Sequence, residues 1–219
     1  MPSTVQEFDR PSEATAVAKQ YLRRERPLSA LVAAVVVSIF LGTFLATSIV
    51  PALVVGAVLV FVTRAPIVQP RGSVRLRTDA NPERVVESFT GATPPLLAFQ
   101  WGIADRITAE DGTITYHVSY LFGLRSVRMA VETRTESTSN GTHRIELSVT
   151  ANGRPWSTYD VTVSREDDQT FVAYDYGGDR RFGVRRIPQR LVAARYREEA
   201  LAVQGYSVVN RDDQLGIIG

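Results

Sequence analysis

Two histidines, no cysteine and one dense run of arginines are the residues with which this chain could do chemistry. Without thiols there is no disulfide, no zinc–thiolate site and no cysteine nucleophile. His117 lies between Thr115 and Ser119 in an alternating pattern, and His143 follows a turn. Neither has carboxylates at the spacing of a metal site or a proton relay. The phosphate-binding loop of nucleotide hydrolases, the dinucleotide glycine fingerprint, HExxH and GxSxG are all missing. The glycine-rich stretch 176–183 lacks the Lys-Ser/Thr of a phosphate loop and reads as a strand end, and Glu166-Asp167-Asp168 reads as a solvated hairpin tip. The expectation is a non-enzymatic chain with no catalytic residue, no metal and no cofactor.

Seven arginines fall between positions 180 and 197. Among them Arg185, Arg186 and Arg190 are candidate contacts for anionic lipid headgroups, at about 1 kcal/mol each close to a bilayer. Pairing with Glu198, Glu199 or strand carboxylates is the competing use of these charges. The whole chain carries 25 basic and 23 acidic groups, and residues 65–219 are balanced. A folded domain without a basic excess argues against a nucleic-acid partner.

From Leu28 to Thr63 no side chain is charged, a run of 36 residues. As one helix it would be about 54 Å long, against a hydrocarbon core of roughly 30 Å. Thr47 and Ser48, followed by Pro51, mark a break and a new helix start. Two transmembrane helices are therefore expected, at about 28–46 and 49–63. Ala30, Ala34, Ser38, Gly42 and Ala46 recur every fourth position and Ala52 and Gly56 repeat the spacing, a pattern that lets helices pack closely or associate as a homo-oligomer. Arg23, Arg24 and Arg26 precede the run, and Arg64, Arg71, Arg75 and Arg77 follow it. The positive-inside rule then predicts a hairpin with both termini cytoplasmic, an integral protein of the cell membrane with membrane lipid as a partner. In that compartment Asn140-Gly141-Thr142 reads as a hairpin turn and not as a glycosylation sequon.

Around this run the chain divides into a polar lead-in (1–27), a stiff linker (64–72), a folded domain (73–211) and a tail (212–219). The lead-in is expected to form an amphipathic helix capped by Ser12, with Val17, Tyr21 and Leu22 on one side, lying along the cytoplasmic surface. In the folded domain, 73–78 alternates as a strand, Asn81-Pro82-Glu83 opens a helix to about Phe89, and 94–102 forms a second short helix. From Thr113 the period is two. Ile114, Tyr116, Val118 and Tyr120 share one face, as do Val127, Met129 and Val131 on the next strand and Ile145, Leu147 and Val149 on a third. Asn140-Gly141 and Asn152-Gly153 supply tight turns. Strands at 156–164 and 170–176 follow, with another expected near 181–186. A helix from Pro188 to Gly205 carries Leu191, Val192, Tyr196, Ala200 and Val203 on one stripe, and a short strand at 206–210 ends the domain.

The fold class is thus α+β, an antiparallel sheet packed on a long C-terminal helix behind a transmembrane helical hairpin. With SVRLRTDANPERVVESF at its start and RIPQRLVAARYREEALAVQGY near its end, residues 71–205 resemble the helix-grip fold of the START-like (SRPBCC) superfamily in element order. A PH-like barrel is the alternative. The resemblance implies a cavity between sheet and helix that holds an apolar small molecule, with Trp101, Tyr116, Tyr120, Trp156 and Tyr174 as candidate linings. The expected function is a membrane-anchored module binding an apolar ligand, lipid or protein partner at the cytoplasmic face; the alternative is a structural or regulatory membrane protein whose domain mediates assembly without a cavity.

Overall fold

The computed structural model describes residues 8, 10–64, 68–120, 124–138, 141–178 and 187–217. Two helices come first, α1 (Ser12–Ala46) and α2 (Ile49–Arg64). Strand β1 (Val68–Thr78) leads into α3 (Pro82–Thr90), a single 3-10 turn (Pro95–Leu97) and α4 (Ala98–Gly102). Six strands then run as a meander: β2 (Arg106–Glu110), β3 (Thr113–Tyr120), β4 (Arg125–Ser137), β5 (His143–Ala151), β6 (Arg154–Glu166) and β7 (Gln169–Gly178). Helix α5 (Ile187–Ala202) and strand β8 (Ser207–Ile217) follow.

The eight strands among the described residues belong to one antiparallel sheet, in the order β2-β3-β4-β5-β6-β7-β1-β8. From β1 to α5 this order agrees with a helix-grip arrangement. The sheet is open, with β2 and β8 at its edges, and so does not close as the PH-like alternative would require. Alternation puts one face inward: Val74, Tyr174, Val161 and Ile145 form a continuous cross-strand row, with Leu76, Val172 and Val163 beside it, all buried. Helix α5 adds Tyr196, Ala200 and Leu201 to the same core.

Local chemistry fixes the helix starts and turns. The Asn81 side chain accepts from the Arg84 backbone N–H at 3.0 Å, and Pro82 fills the first helical position where no N–H is needed. Val85 and Phe89 then point into the core. Asn152 and Gly153 both take positive φ, +50° and +73°, as the two-residue turn between β5 and β6 requires. After α5, Gly205 at φ +85° turns the chain into β8. Tyr206 anchors that turn by meeting the Ser88 hydroxyl at 2.9 Å and the Phe89 ring edge-on at 5.8 Å.

The N-terminal helices depart from expectation. Among the described residues no helix is long and apolar enough to cross a membrane. This overturns the expected transmembrane hairpin, with spans at 28–46 and 49–63, and the assignment as an integral membrane protein with both termini cytoplasmic. The break near Thr47 divides the uncharged run between two helices of different character. The residues after it form α2, 16 residues and so about 24 Å long. Those before it continue a helix that begins at Ser12 and whose first turns belong to the folded domain. Ala14, Val17 and Ala18 are buried, and Tyr21 stacks on Phe99 at 4.8 Å. Arg24 lies 5.9 Å from the centre of the Tyr196 ring. The lead-in is therefore a helix whose buried side docks on α4 and α5. Ser12 does not cap it: the cap position is Pro11, with no side-chain hydrogen bond.

Where α1 and α2 meet, Phe40 covers Gly56 so closely that a Cβ there would be 3.0 Å from the ring. The stripe Ala34, Ser38, Gly42 and Ala46 is exposed on α1, and nothing lies within 4 Å of a Cβ built at Gly42. Large apolar side chains along both helices are exposed as well, among them Leu45, Val50 and Phe61.

Candidate functional site

The inner face of the sheet is covered by helices over most of its area and uncovered at one end. There β3 and β4 place Val118, Tyr120, Val127 and Met129 side by side, β5 ends in Ala151, and Ile103 approaches from the end of α4. These residues, with Asn152, Arg154 and Trp156, line an apolar pocket of about 540 Å³. Its size falls within the ~300–1,000 Å³ common for small-molecule sites.

Strand register explains the composition of the rim. Val149 pairs with Ser157 and Thr150 with Pro155, so Trp156 is an inserted residue, a β-bulge that re-aims its indole at the pocket. Arg154 directly follows the Asn152-Gly153 turn and pairs with Ala151. Ala151 faces inward, so Arg154 stands on the same face, at the mouth, and is exposed. Asn152 holds the turn by accepting the Arg128 backbone N–H at 3.0 Å. Next to this region, the buried Ser157 hydroxyl has no hydrogen-bond partner among the described residues.

The aromatic candidates separate by depth. Tyr120 and Trp156 line the pocket. Trp101 is fully buried, and its indole N–H donates to the Pro94 carbonyl at 2.9 Å. Tyr116 is also fully buried, and its hydroxyl donates to the Ala92 carbonyl at 3.0 Å. Burial pushes the Tyr116 phenol well above its ordinary pKa, so it stays protonated and serves as a donor. Tyr174 is buried in the central cross-strand row, its ring 6.3 Å from that of Tyr176. Arg185 and Arg186 lie outside the described residues, as does the side chain of Arg190 within α5; the strand expected at 181–186 lies outside them too. Val127, Met129 and Arg154 are pocket residues that aromatic content alone does not find. Alternation puts the first two on the right face, but only the register brings Arg154 to them.

A second depression, of about 460 Å³, lies on the outer face over β6, β7, β1 and β8. Its floor includes Asp160, Asp175, Ser73 and Asp212, which follow one another across the four strands. Asp160 pairs with Arg144 at 3.1 Å. Among the described residues no group of three or more histidine, cysteine, aspartate or glutamate side chains is placed to hold a metal ion. Both histidines make hydroxyl contacts, His117 with Thr108 at 3.5 Å and His143 with Ser137 at 3.1 Å.

No family model matches the chain. No curated protein matches it either. Among solved structures it is similar to Mll3558 from Rhizobium loti, at 21% identity and a TM-score of 0.42, over 63% of this chain and 98% of that one. A conserved protein from Geobacillus kaustophilus aligns at 12% identity and a TM-score of 0.38, over 64% and 99% of the two chains. Ara h 8.0201 aligns at 9% identity and a TM-score of 0.36, over 60% and 97%.

Proposed function

We propose that the chain is a non-enzymatic binding module that takes an apolar small molecule into the pocket between Ile103 and the inner face of β3, β4 and β5. The observation that carries this reading is the pocket itself: a volume of about 540 Å³ walled by aliphatic and aromatic side chains at the open end of an otherwise filled core. A partly covered apolar wall is costly to leave in water, at roughly 25 cal/mol per Å² of apolar surface, and a ligand removes that cost. Among the described residues its lining offers one charged side chain, Arg154, and no carboxylate or imidazole to act as general acid or base, which favours binding over catalysis. The test is titration of the whole chain with the neutral dye Nile red. Half-buried Val127 lines the pocket, so Val127→Trp fills the space without rebuilding the deeper core. Loss of a saturable binding phase in that variant is the expected result, and an unchanged titration refutes the reading.

A second reading, assembly through α1 and α2, is favoured by the exposed apolar side chains from Leu31 to Val62 and by the exposed stripe at Ala34, Ser38, Gly42 and Ala46. Sedimentation of the whole chain distinguishes it: a species that remains monomeric across concentration eliminates assembly as the role of these helices.

A further inference from the structure

From the charge at the pocket mouth, and resting on the binding role proposed above, we infer that the ligand is an anionic amphiphile: an apolar body in the pocket and a carboxylate-like group at its rim, held by Arg154. Arg154 lines the pocket, stands on its inner face opposite Ala151, and is exposed at the mouth. The arginine–carboxylate ion pairs among the described residues use Arg75, Arg144, Arg165 and Arg211. Among the described residues Arg154 has no carboxylate partner, so its guanidinium can meet a ligand. Its position is fixed by the backbone, because it is the first residue after a two-residue turn whose Asn152 side chain is tied to β4. A guanidinium offers a planar fork of donors that matches a carboxylate with two parallel hydrogen bonds. Among the described residues no acidic side chain lines the pocket. A cationic amphiphile would therefore find a repelling charge at the rim, and a neutral one would leave the fork unused.

The test compares laurate, dodecanol and dodecyltrimethylammonium as competitors of Nile red on the whole chain, its Arg154→Gln variant and its Val127→Trp variant. Laurate is expected to bind at least tenfold tighter than dodecanol, and the cationic chain most weakly. Arg154→Gln should remove the laurate advantage while leaving dodecanol within about twofold. Unchanged laurate affinity in Arg154→Gln, or equal affinity for laurate and dodecanol in the unaltered chain, overturns the headgroup assignment and leaves the pocket reading intact. Should none of the three compete, or should competition persist in Val127→Trp, the pocket reading fails and this inference with it.

Discussion

Trp101→Phe separates the packed core from the pocket. The indole is fully buried, and its N–H donates to the Pro94 carbonyl at 2.9 Å. Phenylalanine keeps an aromatic ring there but removes the donor and part of the volume. Leaving a buried carbonyl without its partner costs about 1–2 kcal/mol. The vacated space, roughly 40 Å³ at about 24 cal/mol per Å³, adds about 1 kcal/mol. The sum of about 2–3 kcal/mol lowers the melting temperature by about 5–10 °C for a chain of this size. Circular dichroism on heating reads this directly. Because the chain has two tryptophans, the variant also leaves Trp156 as the one indole, at the pocket. Its emission should still respond to a pocket ligand with unchanged affinity. A melting temperature within 1–2 °C of the parent would refute the packing described for Trp101, and a loss of ligand response without loss of stability would return this residue to the pocket.

Two further perturbations probe the same frame. The Tyr116 phenol has its pKa raised by burial, so the folded state resists forming tyrosinate; stability is full below the unfolded value near pH 10 and declines as pH rises above it, by about 1.4 kcal/mol per pH unit. Denaturant titrations from pH 8 to pH 11 on Tyr116→Phe should show a loss of about 1 kcal/mol at the lower end and a shallower alkaline decline, and an unchanged slope would contradict the burial. At Gly102 a Cβ would stand 2.9 Å from the Ala18 Cβ, so Gly102→Val must push α1 off α4. Hydrogen exchange over 12–24 should accelerate, with a stability loss of about 1–3 kcal/mol, and exchange at the parent rate would mean that α1 does not dock there.

What could be read from the sequence was local. The Asn81-Pro82 start, the Asn152-Gly153 turn and the period-two faces of β3, β4 and β5 are set by residues within a few positions of one another. The uncharged run 28–63 was legible as two helices, because Thr47 and Pro51 mark the break. Its surroundings were not: Ala14, Val17 and Ala18 show that α1 has a buried side, but nothing in their spacing says that α4 and α5 cover it. The five residues of β2 are too few to show a period, and β8 extends well beyond the expected 206–210 through Arg211 and Asp212, a charged stretch tolerable at a sheet edge. Arg211 is held there by Glu198 of α5 at 2.5 Å. Aromatic side chains, finally, do not announce their depth. Tyr116 and Tyr120 share a strand face, yet one is sealed under the loop that carries Ala92 and the other lies in the uncovered end.

The place of β1 has a consequence for synthesis. It lies between β7 and β8, pairing Thr78 with Thr170 on one side and Val68 with Ile217 on the other. As the chain leaves the ribosome, the strand made first among the eight has neither neighbour until the last two emerge, and loop-closure entropy must be met before those pairings form. The apolar helices α1 and α2 appear earlier still, and the surface on which α1 docks includes α5. For most of translation this protein is a run of exposed apolar helix and an incomplete sheet, a state that depends on chaperone protection or fast completion to avoid aggregation.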